Sequence, residues 1–380
     1  MLRAHGLSGA ARLGGGAPYG SAMKLPADRV SRLRPFFERR AVIVTGGAGF
    51  IGGHLCDALV SLGADVTIID DLSNSNLGHL AGLIELEPQR VRFVHGSILD
   101  DDAVAEAFAS LPGPAERAAG GVVFHLAALG SVPRSIEHPQ RSWSVNVTGT
   151  VRVLEASRRA GASRVVLASS SSVYGDDPTQ PRRESMVLSP LSPYAASKAA
   201  GEAAGRAWSR SYGLSVVSLR FFNVFGPRQP ADSAYAAVIP AFARKLSRGE
   251  PPVIFGDGSV RRDFTFVDDA VLALVEAGAS PQPLAGEAFN IGSGRGTTIR
   301  ELAALMAQRS GLIGVVPVLA PARAGDVKDS LADCSRASDV LGYQPHTRLE
   351  DGLDQTMRWN VAVTSRQTEG AGGAAAGGGP

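Results

Sequence analysis

The sequence predicts an α/β protein, a doubly wound parallel sheet with a smaller α/β lobe over one end. Three observations predict it. Short apolar, β-branched runs alternate with helical patterns through the first 220 residues. Those runs are apolar almost throughout rather than at every second residue, as strands covered on both faces are. Finally, Gly46, Gly49 and Gly52 stand between the first run and the first helical pattern, where a strand must turn tightly into a helix.

In chain order the expected strands are 41–45, 65–69, 91–95, 121–126, 164–168 and 215–219. Helical patterns fill 52–62, 101–111, 142–160 and 195–212 between them. Each run is short for a helix and bounded by loop residues. After residue 220 loops with Pro and Gly lengthen, and helices are expected at 238–248, 270–277 and 299–309. The expected division is a nucleotide-binding domain over 40–220 and a ligand lobe mainly over 221–363, parts of which return to the first domain. Residues 1–39 are expected to be a disordered extension, and 364–380 a disordered low-complexity tail. The extension is rich in Gly, Ala and Arg, with no acid before Asp28. A transit peptide, a flexible leader and a start at Met23 rather than Met1 all fit that composition.

Composition excludes several classes. At 44% hydrophobic residues in 380, the chain has ample material for a core. Cys56 and Cys334 make neither a disulfide framework nor a metal knuckle, so a cytoplasmic setting and no metal are expected. No run of 18 apolar residues occurs, so no membrane helix is expected. The formal charge of +2 is unevenly shared: residues 1–40 hold 8 basic and 2 acidic side chains, the other 340 hold 30 and 34. The folded part is slightly acidic, and nucleic acid is not an expected partner.

In AVIVTGGAGFIGGHL, one glycine serves the turn, one lets backbone approach a pyrophosphate and one lets helix and strand pack closely. The helix N-terminus adds N–H donors and partial positive charge. Asp70 ends the second strand 24 residues after Gly46, where a carboxylate can accept from both ribose hydroxyls and repel a 2′-phosphate. That favours NAD over NADP. Asp71 is the alternative partner, or a turn residue.

Tyr194 and Lys198 stand four apart in SPYAASKAAGE, which places both on one helical face. An ammonium beside a phenol lowers the phenol toward neutrality, and a phenolate can take the proton of a substrate alcohol. No other Tyr has Lys four residues on. The run ASSSSVYGD follows an apolar strand and sets four hydroxyls where cofactor and substrate should meet. Asp268 and Asp269 are read as an N-cap and a first-turn acid rather than an acid/base pair.

Taken in order, TGGAGFIGGHL, HLAALGSVPRS, SSSSVYGD, YAASK, RFFNVFGPRQ, RRDFTFVDD, FNIGSG and RAGDVKDSLAD resemble the extended short-chain dehydrogenase/reductases. The resemblance spans about residues 40–360. It is strongest to UDP-hexose 4-epimerases, and among them to bacterial UDP-N-acetylglucosamine 4-epimerases of surface-polysaccharide synthesis. It implies a Rossmann domain holding NAD, a UDP-sugar substrate, 4-epimerisation through a 4-keto intermediate, and a homodimer. Tyr194 would be the base, Lys198 its modulator, and Ser170 the hydroxyl on the sugar 4-oxygen, with Ser171 and Ser172 close second choices.

Around the cofactor the resemblance implies Phe50, Ile51, Ser97, Ile98, Ala127 and Asn146 beside the glycines and Asp70. Ser97 replaces the usual adenine-contacting Asp, which implies altered adenine recognition. On the substrate side it implies Gly130, Ser131 and Arg134, with Asn223 on the sugar diphosphate and backbone of Ala237 and Val238 on the uridine. Arg262 and Arg323 would grip the diphosphate, whose oxygens a guanidinium matches in pairs. A small Ser330 implies room for an N-acetyl group, and Gly130 points the same way.

Three rivals use the same scaffold. A 4,6-dehydratase needs an Asp–Glu pair where Ser171 and Ser172 stand. A UDP-glucuronate epimerase or decarboxylase needs a polar site for the C6 carboxylate, which Arg134 or the serine run can supply. A non-catalytic NAD-sensing protein usually lacks the Tyr–Lys pair.

Overall fold

The computed structural model describes residues 25–113, 120–230, 237–312, 314–322 and 329–374, with side chains to residue 362. The strands are β1 (Ala41–Thr45), β2 (Asp65–Asp70), β3 (Val91–His95), β4 (Val122–His125), β5 (Arg164–Ser170) and β6 (Val216–Phe221). Four short ones follow, β7 (Val224–Phe225), β8 (Val253–Phe255), β9 (Arg261–Asp263) and β10 (Thr265–Phe266). Then come β11 (Ala285–Ile291), β12 (Gly296–Thr298) and β13 (Val318–Ala320). β1 to β6 and β11 make one parallel sheet, ordered β11-β6-β5-β4-β1-β2-β3.

The first-half helices are α1 (Ala27–Phe37), α2 (Phe50–Ser61), α3 (Ala81–Leu86), α4 (Asp101–Phe108), α5 (Val132–Glu137), α6 (Pro139–Trp143), α7 (Gly149–Arg159) and α8 (Pro193–Tyr212). The later ones are α9 (Val238–Leu246), α10 (Val267–Ala279), α11 (Ile299–Arg309), α12 (Ser335–Leu341) and α13 (Leu349–Ala374).

The sheet is covered on both faces, which is why its inner strands are apolar through most of their length. Val42 and Val44 of β1 pack with Leu55 and Leu59 of α2 and with Val271 and Leu274 of α10. Ile43 between them packs on the other face with Val104 of α4 and Val153 of α7. Alternate side chains of a strand point to opposite faces, so each face has its own cluster. The smaller lobe pairs β9 with β12, β8 with β13 and β7 with β10. Two later elements return to the large sheet: β11 extends its edge beside β6, and α10 covers a face. Among the described residues, no helix is long and apolar enough to cross a membrane.

Four expectations are corrected. Residues 27–37 do not belong to a disordered extension; they form α1, which buries Leu33 and Phe37 in the core. Arg29 and Arg32 of α1 also reach the buried Glu276 of α10. The pattern was hidden because α1 is polar overall and needs only two deep apolar anchors. Helix α13 continues to Ala374, into the segment expected to be a disordered tail; helical hydrogen bonds are local and need no partner surface. The single helix expected over 142–160 is broken into α6, a π-helical turn Ser144–Thr148 and α7. Finally, the residue capping α10 is Phe266, with both Asp268 and Asp269 in the first turn. Buried Asp269 accepts from the His346 and Thr347 amides at 2.9 and 3.2 Å, tying a distant loop to the helix start.

Candidate active site

The site lies at the carboxyl ends of β1, β4 and β5, where the strand order reverses. Gly46 follows β1 at φ 72°, the left-handed region that favours glycine, and a Cβ there would sit 2.6 Å from the Ala127 nitrogen. A Cβ on Gly52 would lie 2.1 Å from the Gly46 carbonyl oxygen, so the loop closes on α2 only over a bare backbone. Gly49 is the N-cap of α2; no side chain caps this helix, and its first turn contains no acid. The amides of Phe50, Ile51 and Gly52 thus lie in a first turn with no intrahelical partners. Phe50 and Ile51 pack their side chains on the core. An uncapped, acid-free helix start over a glycine cradle fits the pyrophosphate of a dinucleotide.

Asp70, at the end of β2, braces this cradle. One oxygen accepts from the Ala48 amide (3.0 Å), the other from the Leu72 amide (2.9 Å) and the Ser75 hydroxyl (3.0 Å). A carboxylate has about four acceptor positions, so one remains. Asp71 is a turn residue: it accepts from the Ser73 amide at 3.0 Å. Ser97 accepts from the Leu99 amide at 3.3 Å, while Ile98 is buried against Gly149. The Ala127 amide donates to the Thr45 hydroxyl at 3.2 Å.

Asn146 sits in the π-helical turn and is buried. Its carbonyl accepts from the Leu129 amide at 2.8 Å, and its nitrogen donates to the Leu129 carbonyl (3.3 Å) and the Ser197 hydroxyl (3.0 Å). Both amide hydrogens therefore go to protein groups, and Asn146 fastens the loop after β4 to α8. π turns recur at functional sites.

Helix α8 starts at Ser192, whose hydroxyl accepts from the Ala195 amide, with Pro193 at its first position. Tyr194 and Lys198 share a face, with the ammonium 5.9 Å from the phenol ring centre. Ser170 is the last residue of β5, and its side chain favours the phenolate form of Tyr194. The Ser170 hydroxyl also accepts from the Ser172 amide (3.2 Å) and hydroxyl (2.9 Å). Ser171 and Ser172 open the 3₁₀ turn Ser171–Tyr174.

Two causes act on the Tyr194 phenol. Burial pushes Tyr194 up, and the Ser170 side chain is what pulls it down. Lys198 donates to the Ala168 carbonyl at 2.8 Å. Burial pushes this lysine down to about 8, against the pull of Glu202. Behind it, buried His125 is held between the hydroxyls of Thr45 (2.7 Å) and Thr150 (2.9 Å). Desolvation, then the Lys198 charge, pushes His125 down to about 3, so it is neutral at ordinary pH.

On the lobe side, Arg262 of β9 and Ser330 are brought together by a β-bridge, with the Asp263 amide donating to the Ser330 carbonyl at 2.8 Å. Asn223 holds φ 27° and donates to the Asp263 carbonyl at 2.9 Å, so it fixes the strand that carries Arg262. Ala237 caps α9, and Val238 is its first residue. Gly130 is exposed, and a Cβ on it would meet nothing within 4 Å. Ser131 caps α5, accepting from the Arg134 amide at 3.3 Å. The Arg134 guanidinium donates to the Asn74 side-chain carbonyl at 2.8 Å, joining the loops that follow β4 and β2. Arg323 lies outside the described residues. Among the described residues, no group of three or more His, Cys, Asp and Glu is placed to hold a metal.

Residues 42–292 match the NAD dependent epimerase/dehydratase family. The chain belongs to that family. It is 40% identical over 320 residues to the UDP-glucose 4-epimerase of Mycolicibacterium smegmatis, covering 83% of this chain and 97% of the relative. Among solved structures, it is similar to the UDP-N-acetylglucosamine 4-epimerase of Methanobrevibacter ruminantium in complex with UDP-N-acetylmuramic acid. The TM-score is 0.78 at 35% identity, over 86% of this chain and 100% of that one. It is also similar to the UDP-glucuronic acid 4-epimerase of Bacillus cereus in complex with UDP-glucuronic acid and NAD. There the TM-score is 0.76 at 31% identity, over 84% and 98% of the two chains. The family is NAD-dependent, and the uncapped glycine cradle of this member suits that cofactor.

Sequence reasoning missed the polar network beneath the family's Tyr–Lys pair. Glu202 takes two hydrogen bonds from Arg220, at 2.9 and 2.7 Å, and one from the Ser169 hydroxyl at 2.5 Å. Arg220 donates also to the Tyr174 phenol (2.8 Å), which donates to Asn290 (2.6 Å). The available signal was an arginine inside the apolar run SVVSLRFF and a glutamate four residues after Lys198.

Proposed function

We propose that this protein interconverts the C4 epimers of a UDP-sugar. UDP-GlcNAc and UDP-GalNAc are the preferred pair, UDP-Glc and UDP-Gal a further one. The observation that carries the reading is that Tyr194 and Lys198 share one helical face, the ammonium 5.9 Å from the phenol ring centre, with the Ser170 side chain favouring the phenolate from the end of β5. Tyr194 takes the proton of the sugar 4-hydroxyl, and Ser170 bonds the same oxygen. When bound, NAD supplies hydride acceptance and return at C4, and positive charge that counters the burial of Tyr194. Arg262 and Arg323 hold the diphosphate while the 4-keto sugar turns over.

Serines at 171 and 172 argue against dehydration, which needs an acid pair there. Open space at Gly130 and a small Ser330 beside Arg262 support an N-acetylated substrate, as does the similarity to a UDP-N-acetylglucosamine 4-epimerase. Ile136 and Trp143, exposed at 63% and 47% on α5 and α6, support a homodimer through this side. Cytoplasmic residence is part of the same reading, since two free cysteines suit a reducing compartment.

The test is a panel of UDP-Glc, UDP-GlcNAc and UDP-GlcA given to the NAD-loaded protein, with products resolved by NMR. UDP-GalNAc should form fastest, with no net NADH. If none of the three gives a 4-epimer, the proposal is wrong. The similarity to a UDP-glucuronic acid 4-epimerase supports one alternative. UDP-galacturonate as the main product would establish it, and release of carbon dioxide would indicate a decarboxylase.

A further inference from the structure

Three successive residues at the end of β5 are each tied to α8. The Ser170 side chain acts on the Tyr194 phenol, Ala168 accepts from Lys198 at 2.8 Å, and the Ser169 hydroxyl donates to Glu202 at 2.5 Å. On α8 the three partners stand four residues apart, at 194, 198 and 202, so they form one stripe along the helix. Glu202 is the innermost of them, 3% exposed, and Arg220 of β6 is equally buried against it. A buried arginine–carboxylate pair is costly unless its remaining positions are satisfied. Here Arg220 is also bonded to Tyr174, and Glu202 to Ser169.

We propose that Glu202 is a positioning residue for the Tyr194–Lys198 pair. It latches α8 to the end of β5 and holds a buried carboxylate one helical turn beyond Lys198. This rests on the 4-epimerase reading for its kinetic consequence, but not for its electrostatic one.

The groups facing this stripe are few. From α8 come Tyr194 and Lys198, from β5 Ser169 and Ser170, from β6 Arg220, from the 3₁₀ turn Tyr174 and from β4 His125. His125 is neutral, pushed down to about 3, and the Tyr174 phenol is pushed up to about 12 by burial, so neither adds charge near neutral pH. Arg220 is bonded to Glu202 twice and to Tyr174 once. The carboxylate is thus the group that opposes desolvation at Lys198, and with both acting the lysine stands at about 8. Without it the ammonium would release its proton at still lower pH.

The test reads Lys198 directly. The chain has four lysines, so ¹³Cε-labelled lysine gives a resolvable NMR titration of the full-length, NAD-loaded protein. In Glu202→Gln, the Lys198 titration should move down by roughly one pH unit. The alkaline limb of kcat/KM should move with it, with KM nearly unchanged. In Glu202→Asp, which keeps the charge but shortens the reach, the titration should stay within a few tenths of a unit while kcat falls. Should Glu202→Gln fail to fold because Arg220 is left unpaired, Glu202→Gln/Arg220→Gln removes both ions, and the Lys198 titration should again move down. An unmoved titration in whichever of these folds overturns the proposal, even if activity is lower. A wild-type protein that epimerises nothing would overturn the functional reading alone, since the titration is measured without substrate.

Discussion

The glycine loop and the β5–α8 corner face the same crevice but are built on opposite principles. At the loop, function depends on what is missing. Gly46 and Gly52 are bare because any Cβ would meet backbone, and α2 opens without a cap or an acid. At the corner, polar groups have been buried together: Tyr194 near Ser170, Lys198 with Ala168, Glu202 with Arg220. Shape and fold are inseparable at the first site. At the second, charge placement works against stability, because burial opposes the ionised form of Lys198. Substitutions should therefore lose fold and function together at the loop, and separate them at the corner.

The largest effect is expected at Tyr194. On the proposed reading, Tyr194→Phe should lower kcat by roughly 10³-fold while NAD binding and melting temperature stay close to wild type. Near-normal turnover in that variant would remove the corner's claim to the chemistry. Next is Gly52→Val, whose branched side chain must displace the Gly46 carbonyl. Thermal unfolding should show a loss of about 3 kcal/mol, and NAD fluorescence titration a loss of binding with it. A stable variant that merely binds NAD poorly would break the contrast.

Lys198→Met sharpens it from the other side. The folded-state value of about 8 lies below the ordinary 10.5 of lysine, so folding penalises the charged form below pH 8. That penalty fades as pH rises through 8 toward 10.5. Denaturant unfolding should thus find Lys198→Met more stable than wild type at pH 7, with the gain shrinking by pH 10, while epimerase activity is lost. Equal or lower stability at pH 7 would show that its hydrogen bond to Ala168 outweighs the desolvation. The smallest effect belongs to Gly130→Ala. It lies in the same crevice but has open space and no left-handed backbone, so unfolding should change by less than about 0.5 kcal/mol.

These two regions also differed in how far the sequence revealed them. The glycine loop was legible because its rule is local: strand, turn, helix and spacing lie within one short stretch. Strands β1 to β6 were legible for the same reason, each being a short run covered on both faces. Tyr194 and Lys198 were found through helical spacing, but their burial and the Ala168 carbonyl that accepts from Lys198 depend on another strand and were not legible there. Asn146 was placed at the cofactor, yet its bonds go to Leu129 and Ser197, which only the broken helix brings within reach. Helix α1 was dismissed with the leader because its two anchors, Leu33 and Phe37, carry little weight in a polar stretch until the core they enter is known.

The sequence by itself determined the layered sheet, the cofactor cradle and the identity of the phenol and ammonium, since each follows from the residue types and spacing of a single segment. Only the tertiary structure decided that Lys198 donates to the Ala168 carbonyl, that Glu202 takes Arg220 in the core, and that α1 belongs to that core. The physical reason is common to all three. Burial and the pairing of charge depend on groups far apart in the chain, and a pattern along one segment carries no measure of what another segment brings to it.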